Sequence, residues 1–385
     1  WVNTGHGGYC VSKRATISPM LWDIFCRVID NYGDLGVCWR LSADLASRGH
    51  SVRLWVDDAT SLAWMAPDAT PNAEGRVQFN TTTGKVVVRA WHDALHGLDL
   101  PSKVWVEAFG CELPEHFVKW AHQSQTNSHS TPCPVWLNLE YLSAEAYVEK
   151  SHKLPSPVMS GLLKGRTKWF FYPGFNENTG GLIREAWALE KLDAGTTPGF
   201  DPSSNKPYPQ KSTLFCYEPA ALAEAMQLAS LNSAGHQWQV AHGRGALAFE
   251  NALRTLPSRA DQTSHQFFPP LSQTQFDQLL KSSDLNFVRG EDSLVRALWA
   301  GKAFIWQIYP QDDGAHGPKL NAFLDWLQAP DSLRRFHLSW NGLSLEPLPE
   351  VDLPAWQACA MAAQARLMQQ MDLVSQLLQF VEEKR

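Results

Sequence analysis

The sequence predicts an α/β protein of two doubly wound, Rossmann-like domains that face each other across a cleft. Three observations carry that expectation. Short apolar runs alternate with helical patterns through the first half of the chain; the alternation breaks near residues 172–181; it restarts near residue 212. Alternation of this kind means parallel strands covered by helices on both faces. In such sheets ligands sit beyond the carboxyl ends of the strands, so two of them can point their loops into one shared crevice.

The elements follow in order. In the first half, strands are expected at residues 22–29, 51–56, 85–91, 104–109 and 135–139, and helices at 37–48, 61–65 and 114–123. The stretches 67–75 and 122–134 are rich in Pro, Ser, Thr and Asn and read as loops. A long polar insertion covers 193–211. Beyond it come a strand at 212–217, a helix at 220–228, strands at 238–241 and 265–268, a helix at 272–281, a strand at 285–288, a helix at 293–300 and a strand at 303–308. Residues 354–385 form a long helical pattern that one break could divide. It reads as a helix packed back on a domain in preference to a coiled-coil tail. The expected division is a disordered or appended leader at 1–19, an N-terminal domain at 20–180 and a C-terminal domain at 181–359. The closing helix, 360–385, is expected to return to the first domain.

Composition bounds the function. A chain of 385 residues is about two domains' worth. With 44% hydrophobic and 19% charged residues it can bury two cores. A net charge of −6 argues against a general nucleic-acid binder, which needs a basic surface, and against a polybasic membrane anchor. No run approaches the ~20 apolar residues of a membrane span. The seven cysteines are scattered singly, so reduced thiols in a cytoplasm are expected.

Two constellations carry the chemistry. The first is the turn Asp30-Asn31-Tyr32-Gly33-Asp34-Leu35-Gly36, between a strand and a helix. It lacks the GxGxxG spacing of a dinucleotide turn. Its two acids, Asp30 and Asp34, are read as a general base beside an acceptor group or an anchor for a cationic acceptor; either could instead be the cap of the following helix. The second is Arg289-Gly290-Glu291-Asp292-Ser293, squeezed between a strand and a helix. Backbone N–H groups at that helix start, with Arg289, suit a diphosphate, and a carboxylate there can accept sugar hydroxyls. Phe215, Tyr217, Phe267, Phe268, Gln273 and Phe276 offer rings for a nucleobase, although most aromatics must serve as core. Glu107 and Glu140 follow first-domain strands, as acceptor-side wall or as structural hydrogen-bonding groups. His316 reads as a packing residue. The pairs Asp57–Asp58 and Asp312–Asp313 point apart on an extended chain and make no chelate, so no metal is expected. Paired domains of this architecture are one standard solution for sugar-nucleotide chemistry.

Several long blocks, including "FCRVIDNYGDLGVCWRL", "EAFGCELP", "WLNLEYLSAE", "FFYPGFNENTGGLIRE" and "NFVRGEDSLVRALWAGKAFIWQIYPQ", occur in an order that resembles the bacterial protein-arginine rhamnosyltransferases that modify elongation factor P. The resemblance runs from about Trp22 to the terminal helix. It implies a glycosyltransferase fold of the B type, a dTDP-β-L-rhamnose donor, an inverting reaction and no metal or other cofactor. It implies Asp34 as catalytic base and Asp30 as an acid essential for activity, with Glu291, in the block that would hold the donor's diphosphate and sugar, as a further catalytic residue. Asn31, Tyr32, Gly33, Phe215, Tyr217, Phe268, Gln273, Arg289, Gly290, Asp292 and Ser293 would bind the donor. Elongation factor P would be the protein partner, in the cytoplasm, with neither nucleic acid nor membrane. A 2-epimerase, a small-molecule glycosyltransferase of the same fold and an inactive binding protein are the competing expectations. The acids of the first turn fit this reading: the acceptor guanidinium is a fixed cation, and a negative turn binds and orients it.

Overall fold

Parallel strands fill the centre of both sheets in the computed structural model, which describes residues 18–28, 32–95, 102–126, 133–185, 209–256, 264–310 and 314–385. The first lobe runs β1 (Leu21–Cys26), α1 (Gly33–Ser47), β2 (Ser51–Val56), α2 (Leu62–Met65), β3 (Thr70–Pro71), β4 (Val77–Asn80), β5 (Lys85–Ala90), β6 (Val104–Ala108), α3 (Glu115–Thr126), β7 (Val135–Leu139), α4 (Tyr147–Ser151), β8 (Pro155–Pro157) and β9 (Thr167–Phe171). Its sheet has the order β3-β4-β5-β2-β1-β6-β7-β9-β8. The stretch from β5 to β9 is parallel, and antiparallel strands close both edges. The second lobe runs β10 (Lys211–Leu214), α5 (Leu222–Ala225), β11 (Gln237–Ala241), α6 (Arg244–Thr255), β12 (Ser264–Phe268), α7 (Gln273–Ser282), β13 (Leu285–Arg289), α8 (Gly290–Ala300) and β14 (Ala303–Gln307). Its sheet is parallel throughout, in the order β12-β11-β10-β13-β14. Four helices follow: α9 (His316–Leu327), α10 (Asp331–Trp340), α11 (Leu353–Met368) and α12 (Leu373–Lys384).

Both sheets wind outward from their first strand, so each has a switch point, between β1 and β6 and between β10 and β13. That is where the carboxyl ends of neighbouring strands diverge and leave a crevice. The doubly wound α/β architecture expected from the alternation is therefore the one observed.

Period-two alternation sorts the first sheet into unlike faces. Trp22, Ile24, Leu54, Val104 and Val106 join an aliphatic core, while Phe25, Trp55, Trp105 and Trp136 join an aromatic one. On the aromatic face the registered pair Asp23 and Arg53 forms two buried hydrogen bonds, Nε to Oδ1 at 2.6 Å and Nη2 to Oδ2 at 2.5 Å. The Trp55 indole N–H also donates to Asp23, at 2.7 Å. A charge within a sheet is tolerated only when paired in this way.

The terminal pattern is two helices. Asp372 caps α12, its carboxylate accepting from the Ser375 N–H at 2.9 Å, so the chain restarts a helix instead of continuing one. Ala360, Ala363 and Leu367 of α11 belong to the second-lobe core, whereas Leu373, Val374, Leu377 and Phe380 of α12 belong to the first. The expected single helix at 360–385 thus divides between the lobes. The crossover at 369–372 lies against the other crossover: Leu373 N–H donates to Leu182 O at 2.9 Å, and the Arg184 guanidinium donates to Gln370 O at 2.9 Å.

Other boundaries moved in a consistent way. The strands expected at 22–29 and 212–217 end at Cys26 and Leu214, which frees the residues beyond them for the cleft. Helices α1 and α8 begin earlier than expected, so Asp34, Glu291, Asp292 and Ser293 all lie in first turns. The helix expected at 220–228 is a single turn, α5. Helices α4, α6, α9 and α10 and strands β3, β4, β8 and β9 were not foreseen; α6 opens on Gly243-Arg244-Gly245, and its Ala248, Phe249 and Ala252 pack on the second-lobe core.

Candidate active site

The second lobe supplies a cavity of about 270 Å³ at the carboxyl edge of its sheet. Four strand ends line it: Phe215 after β10, His242 to Arg244 after β11, Phe268 to Leu271 after β12, and Arg289 to Ser293 after β13, with Gln273 and Phe276 from α7. Tyr32, Gly33, Trp64 and Met65 close it from the first lobe. The Arg289 guanidinium carbon sits 4.6 Å from the ring centres of both Phe215 and Tyr217, and its Nη1 donates to Cys216 O at 3.1 Å. Arg244, at the start of α6, pairs with Glu218, Nε to Oε1 at 2.7 Å, and lies 4.9 Å from the Tyr217 ring centre. Two helix N-termini and two guanidiniums suit a diphosphate, and the Phe215 and Phe268 rings suit a flat base. Gly290, with φ 69, turns β13 into α8 through a conformation that disfavours any side chain.

A second cavity of about 280 Å³ adjoins the first, sharing Gly33, Gly290, Glu291 and Asp292 with it. Its remaining walls are Asp34, Val37, Phe109, Tyr141, Trp306, Ile308, Tyr309 and Lys319. Asp34 is 5% exposed. It is not the helix cap: that position is Tyr32, which makes no side-chain capping bond. Glu291 bridges the lobes, its Oε1 accepting from Lys319 Nζ at 2.6 Å and its Oε2 from the Leu142 N–H at 2.8 Å.

A buried charge network holds the lobes together behind the cavities. Arg40 of α1 pairs with Asp277 at 3.0 Å, Glu185 at 3.2 Å and Asp292 at 3.1 Å. Arg296 of α8 pairs with the same Asp277 at 3.0 Å and Glu185 at 2.7 Å. Burial pushes the Glu185 carboxyl upward, but Arg296 and Arg40 outweigh it and hold its pKa at about 2. Burial raises Asp292 above the usual carboxylate range, with Arg40 opposing. The lobes meet closely here: Gly36 O accepts from Gln273 Nε2 at 3.0 Å, and a Cβ on Gly36 would come into van der Waals contact with Asp292 and Gln273.

Comparison with known proteins agrees with this geometry. The family model described as "Elongation-Factor P (EF-P) rhamnosyltransferase EarP" matches residues 22–382. The chain belongs to that family. It is 38% identical, over 93% of its length and 98% of the relative's, to the protein-arginine rhamnosyltransferase of Pseudomonas aeruginosa. It is 41% identical to the one of Pseudomonas putida, over 79% of this chain and 80% of that one. A solved structure from work on EarP-mediated arginine glycosylation of translation elongation factor EF-P is 26% identical, with 95% of this chain and all of that one covered and a TM-score of 0.56.

In this member of the EF-P rhamnosyltransferase family, Tyr32, Gly33, Phe215, Phe268, Gln273, Arg289, Gly290, Glu291, Asp292 and Ser293 share the first cavity, and Asp34 lies across the second from Glu291. Asp30 and Asn31 lie outside the described residues, as do Asp312 and Asp313. Two expectations shift, and one open alternative is decided. Tyr217 lines neither cavity; it is 3% exposed and braces Arg289 and Arg244 from behind. The Ser293 hydroxyl donates back to Arg289 O, one turn below the helix end, and does not open toward solvent. Glu107 is structural: burial raises its pKa, and it accepts from Lys168 Nζ at 2.8 Å and the Leu113 N–H at 3.0 Å. Sequence reasoning missed Arg244, whose signal is the glycine turn after β11, and Arg40, whose signal is a charge set directly among Cys38, Trp39 and Leu41.

Proposed function

We propose that the protein transfers L-rhamnose from dTDP-β-L-rhamnose to an arginine side chain of translation elongation factor P, in the cytoplasm, with inversion and without a metal cofactor. The observation that carries the reading is the juxtaposition of the two cavities. A cavity with aromatic walls and arginines meets an acid-lined one along Gly33, Gly290, Glu291 and Asp292. The thymine would stack among Phe215, Phe268 and Phe276, and the diphosphate would face Arg289, Arg244 and the α8 start. The anomeric carbon then sits where the cavities join. The acceptor guanidinium enters from the Asp34 side, opposite the leaving group. Its pKa above 12 forbids full deprotonation beforehand. As the N–C bond forms and the C–O bond to the diphosphate breaks, the guanidinium proton passes to the Asp34 carboxylate and the negative charge leaves with dTDP. In-line attack converts the β linkage into an α linkage.

The test is mass spectrometry of purified elongation factor P after incubation with the enzyme and dTDP-rhamnose. A gain of one deoxyhexose on a single arginine is expected, at the same rate with EDTA present. Release of free or epimerised sugar nucleotide, with the factor unmodified, would overturn the reading.

A further inference from the structure

On the acceptor side, two aromatic residues accompany the acid. Phe109 directly follows β6, Tyr141 lies two residues beyond β7, and their rings stack with centres 4.5 Å apart and planes 18° from parallel. Both line the second cavity together with Asp34 and Glu291. Phe109 is held at φ 58, a region a bulky side chain enters only when its surroundings impose it. The Phe109 N–H donates to Leu139 O, the last carbonyl of β7, at 2.7 Å and fixes that backbone. Strain of this kind collects where a side chain must be aimed. Tyr141 is 38% exposed and lines the cleft. Burial, and then the carboxylates of Asp34 and Glu291, raise its phenol pKa, so its hydroxyl stays a neutral donor near those acids. A cation already rests near this wall: Lys319 Nζ lies 6.0 Å from the Tyr141 ring centre and 2.6 Å from Glu291 Oε1.

We propose that the stacked Phe109–Tyr141 pair is the specificity wall of the acceptor site, a flat aromatic face that receives the planar acceptor guanidinium and discriminates against a lysine ammonium. The inference rests on the protein-arginine acceptor proposed above. A guanidinium is planar and weakly hydrated, so it lies flat on a ring while its edge N–H groups reach a carboxylate. An ammonium is compact and strongly hydrated and gains less from the same surface. The face of the guanidinium would belong to the ring pair and its edge to Asp34. A pocket of carboxylates alone would attract either cation; the rings add the distinction of shape.

Steady-state transfer to elongation factor P, with dTDP-rhamnose saturating, tests the pair. Tyr141→Phe keeps the ring and is expected to hold the acceptor KM within about twofold, whereas Tyr141→Leu should raise it about tenfold. Phe109→Leu, which removes the stacking partner, should raise it about threefold. Titration with dTDP should give the wild-type Kd for all three, which also verifies their folding. An elongation factor P carrying Lys in place of the acceptor Arg should be refused by the wild type. Its disadvantage should shrink in Tyr141→Leu. If both leucine variants bind dTDP normally and keep the wild-type acceptor KM, the wall is not an acceptor surface. If wild-type enzyme modifies no arginine at all, the acceptor reading fails and this inference falls with it.

Discussion

At the switch point of the first sheet, β1 leads to α1 with Asp34 in the first turn, and Phe109 flanks it beyond β6. At the matching point of the second sheet, β10 ends before Phe215 and β13 ends in Arg289, which opens α8. The backbone plan is shared: a parallel strand leads to a helix whose first turn lines the cleft. The charges differ. Asp34 is the acid in the first turn of α1, whereas the start of α8 joins Glu291 and Asp292 to an arginine whose guanidinium lies over two rings. The topology supplies a crevice and an electropositive helix start in either lobe, and the turn residues decide what each crevice accepts. In the function proposed above, one lobe would receive the cationic nucleophile and the other the diphosphate leaving group.

Three changes break or sharpen that contrast. The largest effect is expected from Asp34→Asn, an isosteric change that removes the charge and the proton acceptor. Transfer should fall about a thousandfold in kcat with dTDP affinity unchanged by titration; a variant that transfers normally would show that the base lies elsewhere. Arg289→Ala acts on the opposite lobe. It should weaken dTDP binding by about 10- to 100-fold, the worth of a charged hydrogen bond to the diphosphate, while substrate-saturated kcat falls less. Equal dTDP affinity in the variant and wild type would move the diphosphate away from this corner. The smallest effect concerns the second lobe's stability. His337 is buried, its Nε2 accepting from the Trp306 N–H at 3.0 Å, and burial depresses its pKa to about 4. A depressed folded pKa means the stabilisation is complete above the ordinary value of 6.5 and is lost as pH falls toward about 4. Thermal melts should show a loss on the order of 1–2 kcal/mol between pH 7 and pH 5, with a shallower pH slope in His337→Gln. An unchanged slope would mean that other groups set the acid sensitivity.

Much of the site was legible because it is local. The acid pair around Gly33 and the Arg289–Ser293 block each lie within a few residues, between apolar runs that announce strand ends. The walls were less legible. Phe109 and Tyr141 stand 32 positions apart and meet only because β6 and β7 are neighbours in register. The acids beside them, Glu107 and Glu140, are the more conspicuous in sequence, since a carboxylate is a chemical signal and a phenyl ring is ordinarily core. Arg40 sits in sequence among Cys38, Trp39 and Leu41 with no sign of its partners, yet it pairs with acids 145, 237 and 252 positions away.

The sequence by itself determined the two α/β halves, the strand centres and the two polar turns, because period-two burial, helix periodicity and glycine turns are properties of adjacent residues. Only the tertiary structure decided which lobe each terminal helix joins, which glycine serves the lobe interface and which rings face the cleft. Those outcomes depend on what lies across a gap of a few ångströms, and a one-dimensional pattern holds no distances between residues that are far apart along the chain.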